Sequence, residues 1–232
     1  MIILVFDTET TGLPETRIIN PETLNLWPYI VQFSYVIYDT ELNSIVDLRD
    51  YIIKLPSYVK ISEESINLHG ITKENSNKLG SDIIDILKEF FYYLKTCDKL
   101  VGHNISFDIN MLKVELLRLI YADIFDKPNE IKYYKKCLYY ITNYKNICCT
   151  LKDSIELCNI EATNRFGKKY LKYPKLFELN EKLFDNEAKN LHNSLVDILV
   201  TLRCFMKIKY NIDLCKTCDK FNIMMKQLNN EI

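Results

Sequence analysis

The chain has 232 residues, 48% of them hydrophobic, with only five Gly and six Pro, enough to bury a full core in one domain and unlike a linker-rich or disordered chain. With 30 Lys and Arg against 31 Asp and Glu, the net charge is −1. No global basic field therefore announces a nucleic-acid partner, which leaves bound ions or a local patch as the routes to one.

Residues 1–6 form an apolar strand that delivers Asp7-Thr8-Glu9-Thr10-Thr11-Gly12-Leu13 at its end. Asp7 and Glu9 are two apart, so on an extended backbone they share a face. Paired carboxylates on a buried strand repel and lose hydration, and a divalent cation removes both costs; their hard oxygens suit Mg²⁺ or Mn²⁺. For an Asp-x-Glu alone, acids turning into solvent at a strand end is the commoner reading.

Residues 14–28 read as a long loop holding the single Trp, Trp27. Strands follow at 29–38 and 45–55, joined by a turn, so the sheet opens as an antiparallel meander. Ser62 starts a helix that stops at Gly70. Residues 81–96 place Ile83, Ile84, Leu87, Phe90, Phe91 and Leu94 at helical spacing. A short strand at 99–102 and a helix at 107–121 come next. That alternation adds parallel strands, giving an α/β fold with a mixed sheet covered by helices. The Tyr- and Lys-rich stretch at about 123–147 reads as a helical insertion. Helices are expected at 150–158, 174–184, 193–208 and 214–228. With no internal repeat or boundary, residues 1–208 form one domain, and 209–232 are its C-terminal helical extension.

Two further segments carry chemistry. In Val101-Gly102-His103-Asn104-Ile105-Ser106-Phe107-Asp108, Asp108 falls in the first turn of a helix, where the backbone dipole alone would explain an acid. In Leu191-His192-Asn193-Ser194-Leu195-Val196-Asp197, Asn193 or Ser194 can cap the last long helix. His192 is then on the loop before it, and Asp197 about one turn inside among apolar neighbours, where an unpaired carboxylate is costly.

Taken together, DTETTGL, HNISFDINML and HNSLVDILVTL resemble the DEDD superfamily of exonucleases, in the subset that uses His, which includes the proofreading epsilon subunit of DNA polymerase III and ribonuclease T. Residues 65–72 resemble that family's segment between its first two motifs. The resemblance runs from residue 1 to about 205. It implies an RNase H-like fold with a five-stranded mixed sheet. It also implies 3′→5′ removal of nucleoside 5′-monophosphates from DNA or RNA, single strands preferred, with two Mg²⁺ or Mn²⁺ ions per site. Carried over, Asp7, Glu9, Asp108 and Asp197 are the metal-binding carboxylates and His192 the general base. The sister subset has Tyr four residues before the last Asp, where this chain has Asn193. Thr10 and Leu13 are expected against the terminal nucleotide, Leu13 as an apolar wedge, with His69, Ile71 and Phe107 in the same pocket.

The residue types suit those roles. Phosphodiester hydrolysis needs an activated water and neutralised charge on the leaving oxygen, which two ions about 3.5–4 Å apart supply. Imidazole with an ordinary pKa near 6.5 is available as a base at neutral pH. Three other readings compete: an RNA-trimming exoribonuclease or oligoribonuclease, a catalytically silent polymerase-accessory module, and a phosphatase. A phosphatase would want Asp in place of Glu9 and a later Lys. A proofreading, repair or polymerase partner is compatible with the main reading and has no motif of its own here.

Arg165, Lys168, Lys169, Lys172 and Lys175 are interleaved with Phe166, Tyr170 and Tyr173. That stretch can track a phosphate backbone or be a solvated loop. Cys215 and Cys218 have zinc-knuckle spacing without a second pair, so thiols on a helix are the simpler reading. Irregular cysteine spacing, no 18-residue apolar run and no basic region before the first strand point to a reducing, cytoplasmic or nuclear compartment and no membrane span.

Overall fold

The computed structural model describes residues 1–122, 128–186 and 190–228. Its main sheet has the order β3-β2-β1-β4-β5, with β1 Ile2–Thr10, β2 Ile30–Asp39, β3 Ser44–Ile52, β4 Lys99–Gly102 and β5 Ile147–Cys149. β1 and β3 run antiparallel to β2, and β4 runs parallel to both β1 and β5. This is the mixed sheet expected of an RNase H-like exonuclease fold, with the apolar first strand at its centre.

Alternation along β1 creates two cores. Leu4 and Phe6 pack with Phe33, Tyr35, Phe90 and Phe91 on one face, under α3 (Ile83–Leu94) and α4 (Ser106–Tyr121). Ile3 and Val5 pack on the other against Val196, Leu199 and Val200 of α9 (Ser194–Tyr210). Each fully buried aliphatic or Phe side chain contributes about 1.5–3 kcal/mol, so burial on both faces fixes this strand in the middle.

Several boundaries differ from the expectation. β1 continues through Thr10, so Asp7 and Glu9 lie within the strand, opposite Ser34 and Gln32 of β2. The 14–28 loop contains a 3₁₀ helix, Pro21–Leu26, started by a capping box between Asn20 and Thr23. After α1 (Glu63–His69) comes an unanticipated helix, α2 (Lys73–Leu79), which begins at a Thr72–Asn75 capping box. It has no apolar stripe; buried Ser76 docks it, donating to the Ile53 carbonyl at 2.8 Å and accepting from Leu55 N–H at 2.9 Å.

Within the insertion, Pro128–Thr142 is helix α5, which buries Tyr134, Cys137 and Ile141; residues 123–127 lie outside the described residues. The helix expected at 150–158 is two short ones, α6 (Thr150–Asp153) and α7 (Ile155–Cys158). The basic stretch holds a hairpin, β6 (Glu161–Thr163) with β7 (Lys169–Leu171), before α8 (Leu176–Phe184). The last helix is broken at Cys218, whose backbone is extended, into α10 (Leu214–Thr217) and α11 (Asp219–Leu228). Leu214, Phe221 and Met225 seat this end in the second core, and Arg203 holds Asp213 through two bonds of 2.8 and 3.0 Å. Among the described residues no disulfide forms, and no helix is long and apolar enough to cross a membrane.

Candidate active site

Two elements converge on the end of β1. The first is the turn after β4. A side chain at Gly102 would bring its Cβ within 2.9 Å of Ile105 and 3.2 Å of the Phe6 carbonyl, so only Gly lets β4 turn this close to β1. That turn delivers the start of α4, where Asp108 is buried. Its Oδ1 accepts from the Thr8 amide at 3.0 Å and the Thr8 hydroxyl at 2.8 Å.

The second element is the N-terminus of α9. Asn193 caps it, accepting from Leu195 N–H at 3.1 Å. Buried Ser194 bonds Ser34 through the two hydroxyls and donates its N–H to Gln32 Oε1 at 3.3 Å. Gln32 and Ser34 in turn donate to Asp50 Oδ1 at 2.8 and 2.6 Å. Ser34 and Gln32 lie opposite Asp7 and Glu9, so this polar network holds the first turn of α9 beside the acid pair.

The result is a carboxylate cluster. Asp7, Glu9 and Asp197 each offer an oxygen, and these atoms lie within 4.8 Å of one another. Asp197 Oδ1 is buried with no hydrogen-bond partner. Burial, then Asp108, Asp197 and Glu9, raise Asp7 well above the usual carboxylate range. Burial, then Asp197 and Asp108, push Glu9 up to about 8. Burial also raises Asp197 to about 7 against a backbone hydrogen bond from His192, and Asp108 to about 7 against its Thr8 donors. Hard oxygens converging around an orphaned carboxylate oxygen fit a hard divalent cation, which supplies the missing partner and relieves the repulsion. Asp108 stands outside the group of three, tied to Thr8.

The other expected residues fall in distinct places. His192 is exposed on the loop before α9, with φ 69°. Leu13 is 84% exposed, a free apolar side chain beside a cleft of about 480 Å³ lined by Thr11, Gly12, Trp27, Ser62 and Ser65. Thr10 is buried and donates to the Gly12 carbonyl at 2.7 Å. His69 Nδ1 accepts from Ile71 N–H at 3.0 Å, which leaves Nε2–H to donate to the Thr10 carbonyl at 3.3 Å; burial lowers its pKa. His69 thus clips the end of α1 to the lip. Ile71 is buried with Val31, Leu55 and Val59, and Phe107 is half-buried against the first core.

Thr8, Gln32 and Ser34 were not among the expected site residues, and Ser194 was expected only as a possible helix cap. The signal was there for two of them, since Gln32 and Ser34 interrupt an apolar strand at the positions facing the acids. A larger cavity, about 770 Å³, opens beside Tyr29, Tyr58 and Arg118 and is lined by none of Asp7, Glu9, Asp108 and Asp197. Its guanidinium is consumed by Glu115 and the carbonyls of Leu24, Trp27 and Pro28, so Arg118 is a strut.

Comparison with known proteins gives the family and the fold. The family RNase_T, described as exonuclease, matches residues 4–205. Exonuclease I from Methylocaldum szegediense is similar in structure at 16% identity, over 92% of this chain and 42% of that one, with a TM-score of 0.57. E. coli exonuclease I in complex with a dT13 oligonucleotide matches at 16% identity over 94% and 43% of the two chains, TM-score 0.59. The zinc-bound form of the E. coli exonuclease I–ssDNA complex matches at 15% over 93% and 43%, TM-score 0.61. This chain spans less than half the length of those proteins, and no curated protein matches it. With its family match covering residues 4–205 and its fold that of exonuclease I, the chain belongs to the exonuclease family of the DEDD superfamily.

Proposed function

We propose that this protein is a divalent-metal-dependent exonuclease that removes nucleoside 5′-monophosphates from the 3′ end of a nucleic acid strand. The observation that carries the reading is the cluster of Asp7, Glu9 and Asp197, with its orphaned Asp197 oxygen. These three would hold the cations, two Mg²⁺ or Mn²⁺, and Asp108 would complete the set from behind Thr8. Bound ions supply a water nucleophile at neutral pH and charge neutralisation at the leaving oxygen.

The chain's own groups do the rest. His192 takes the proton of the attacking water; its exposed loop lets the ring swing in once a strand is seated. Asn193, the next residue, caps α9 and so ties that loop to the helix that carries Asp197. Leu13 wedges against the terminal base, and Thr10, held by Gly12 and His69, shapes the lip. Residues 1–208 are the catalytic body and 209–232 its C-terminal extension, of which Leu214, Phe221 and Met225 pack in the second core. Single-stranded DNA is the first substrate to try, because solved relatives of this fold are bound to it.

A gel assay with 5′-labelled and 3′-labelled single and double strands of DNA and RNA tests this. With Mg²⁺ or Mn²⁺, the 5′-labelled strand should shorten stepwise, the 3′ label should leave first as a mononucleotide, and EDTA should stop both. Release of the 5′ label as a mononucleotide reverses the direction. No hydrolysis of any strand leaves a binding module, although all four acids and the His are in place.

A further inference from the structure

We propose that the β6–β7 hairpin is an arm that grips the single strand behind its 3′ end, by cations on its phosphates and aromatic rings on its bases. This rests on the exonuclease reading for the direction of the strand. Residues 162–177 carry five Lys and Arg and no acid, in a chain whose net charge is −1. Lys169 and Lys172 are paired, with Glu161 at 3.0 Å and Glu178 at 2.5 Å. Among the described residues Arg165, Lys168 and Lys175 have no ion pair.

The hairpin has no core of its own to explain its aromatics. Phe166 is 79% exposed, Tyr173 58% and Tyr170 50%, and all three residues of β7 face solvent. Its tip is nonetheless built. Asn164 Oδ1 accepts from the amides of Phe166 at 2.9 Å and Lys168 at 3.0 Å, and Gly167 takes φ 77° to close the turn. That geometry holds Phe166 and Lys168 out together, with the Arg165 guanidinium 4.8 Å from the Phe166 ring.

Position ties the arm to the site. The parallel strands β1, β4 and β5 end on one edge of the sheet, with Gly102 against Phe6, the residue before Asp7. His103 follows directly. Its Nε2–H donates to the Pro174 carbonyl at 3.1 Å, and its Nδ1 accepts from the Thr150 hydroxyl at 3.0 Å. Lys172 N–H closes the hairpin on the Ile160 carbonyl at 2.9 Å. The foot of the arm is thereby pinned to the edge that carries the carboxylates. Cations that track phosphates, interleaved with rings that stack on any base, are the chemistry of single-strand binding.

Binding of fluorescein-labelled dT20, rU20 and a 20-base-pair duplex to the full chain in EDTA tests this without any turnover. Neutralising two cations (Arg165→Gln with Lys168→Gln) should lower the slope of log Kd against log[salt] by about 1.4, roughly 0.7 per lost contact. Phe166→Ala should weaken single-strand binding roughly 5- to 150-fold and leave the duplex untouched. Lys226→Gln, on α11, should change neither. Weakening on dT20 alone or on both single strands supports the arm and says which sugar it accepts. Single-strand affinities and slopes equal to wild type, with the variants melting as wild type does, overturn it. Absence of hydrolysis by wild type in Mg²⁺ sinks the exonuclease reading instead and leaves the binding result standing.

Discussion

Replacing Glu9 by Gln should stabilise the metal-free protein while destroying its activity. Glu9 is pushed from 4.5 up to about 8, first by burial and then by Asp197 and Asp108. Between those values the folded chain holds a proton that the unfolded chain has released. Stability therefore falls as pH rises through the window, and the penalty is complete above about pH 8 and absent below about 4.5. At 1.36 kcal/mol per pH unit, an isolated group would carry about 5 kcal/mol. Partial exposure and sharing of protons with its neighbours reduce this to on the order of 2–3 kcal/mol. For a chain of this size that is about 5–10 °C in melting temperature. Gln has the same shape and no charge at any pH. In EDTA, Glu9→Gln should melt near wild type at pH 5 and about 5–10 °C above it at pH 8.5. Saturating Mn²⁺ should reverse the order, because wild type gains more from binding. Thermal melts by circular dichroism read all three conditions. A variant less stable than wild type at pH 8.5 in EDTA would refute the reasoning, since the Glu9 carboxylate would then be making a net favourable contact.

Three further outcomes are expected. His192→Ala should slow hydrolysis on the order of 10²–10⁴-fold, as loss of a general base does, with Mn²⁺ binding by calorimetry nearly intact; a near-normal rate removes His192 from that role. Asp7→Ala or Asp197→Ala should abolish turnover and weaken the Mn²⁺ isotherm, and an unchanged isotherm would contradict the ligand assignment. Thr8→Val deletes the 2.8 Å donor to Asp108, so the Asp108 pKa, about 7 already, should climb. In EDTA its carboxyl carbon resonance should then titrate at higher pH by on the order of one unit, and an unmoved titration would mean that the Thr8 hydroxyl does not stabilise the ionised carboxylate.

The parts of the fold legible in the sequence are those where burial writes a period. β1 is apolar on both faces because it lies between two cores, and α3 shows its stripe because Leu87, Phe90, Phe91 and Leu94 all turn inward. α2 was illegible because a capping box and one buried serine hold it, and neither produces a stripe. The hairpin was illegible for the complementary reason, since a pair of strands that buries little on either side alternates nothing. Cys218 breaks the last helix through a local backbone angle that no residue type dictates. At the site, the acids were readable as types at spacings, but their partners were not. Ser194 meets Ser34 across 160 residues and Asp108 meets Thr8 across 100, distances over which no local pattern extends.

Those long contacts explain why β1 can serve as the spine of the site. Its odd positions run Ile3, Val5, Asp7, Glu9, so the face that buries aliphatics against α9 becomes, two residues later, the face that presents carboxylates to Asp197. Its even positions run Leu4, Phe6, Thr8, and the face that packs on α4 ends in the hydroxyl that holds Asp108. The apolar halves set the spacing of both helices against the strand. Each helix then inserts its acid where the strand turns polar, at the same level on opposite sides. A shift of one residue in the β1–β2 register would exchange the faces, turning Asp7 toward α4 and Thr8 toward α9. The pairings of Asp7 with Ser34 and Glu9 with Gln32 therefore do more than close a ladder. They place the acid pair and the anchor of α9 on one face, so the packing that makes the core also assembles the carboxylate cluster.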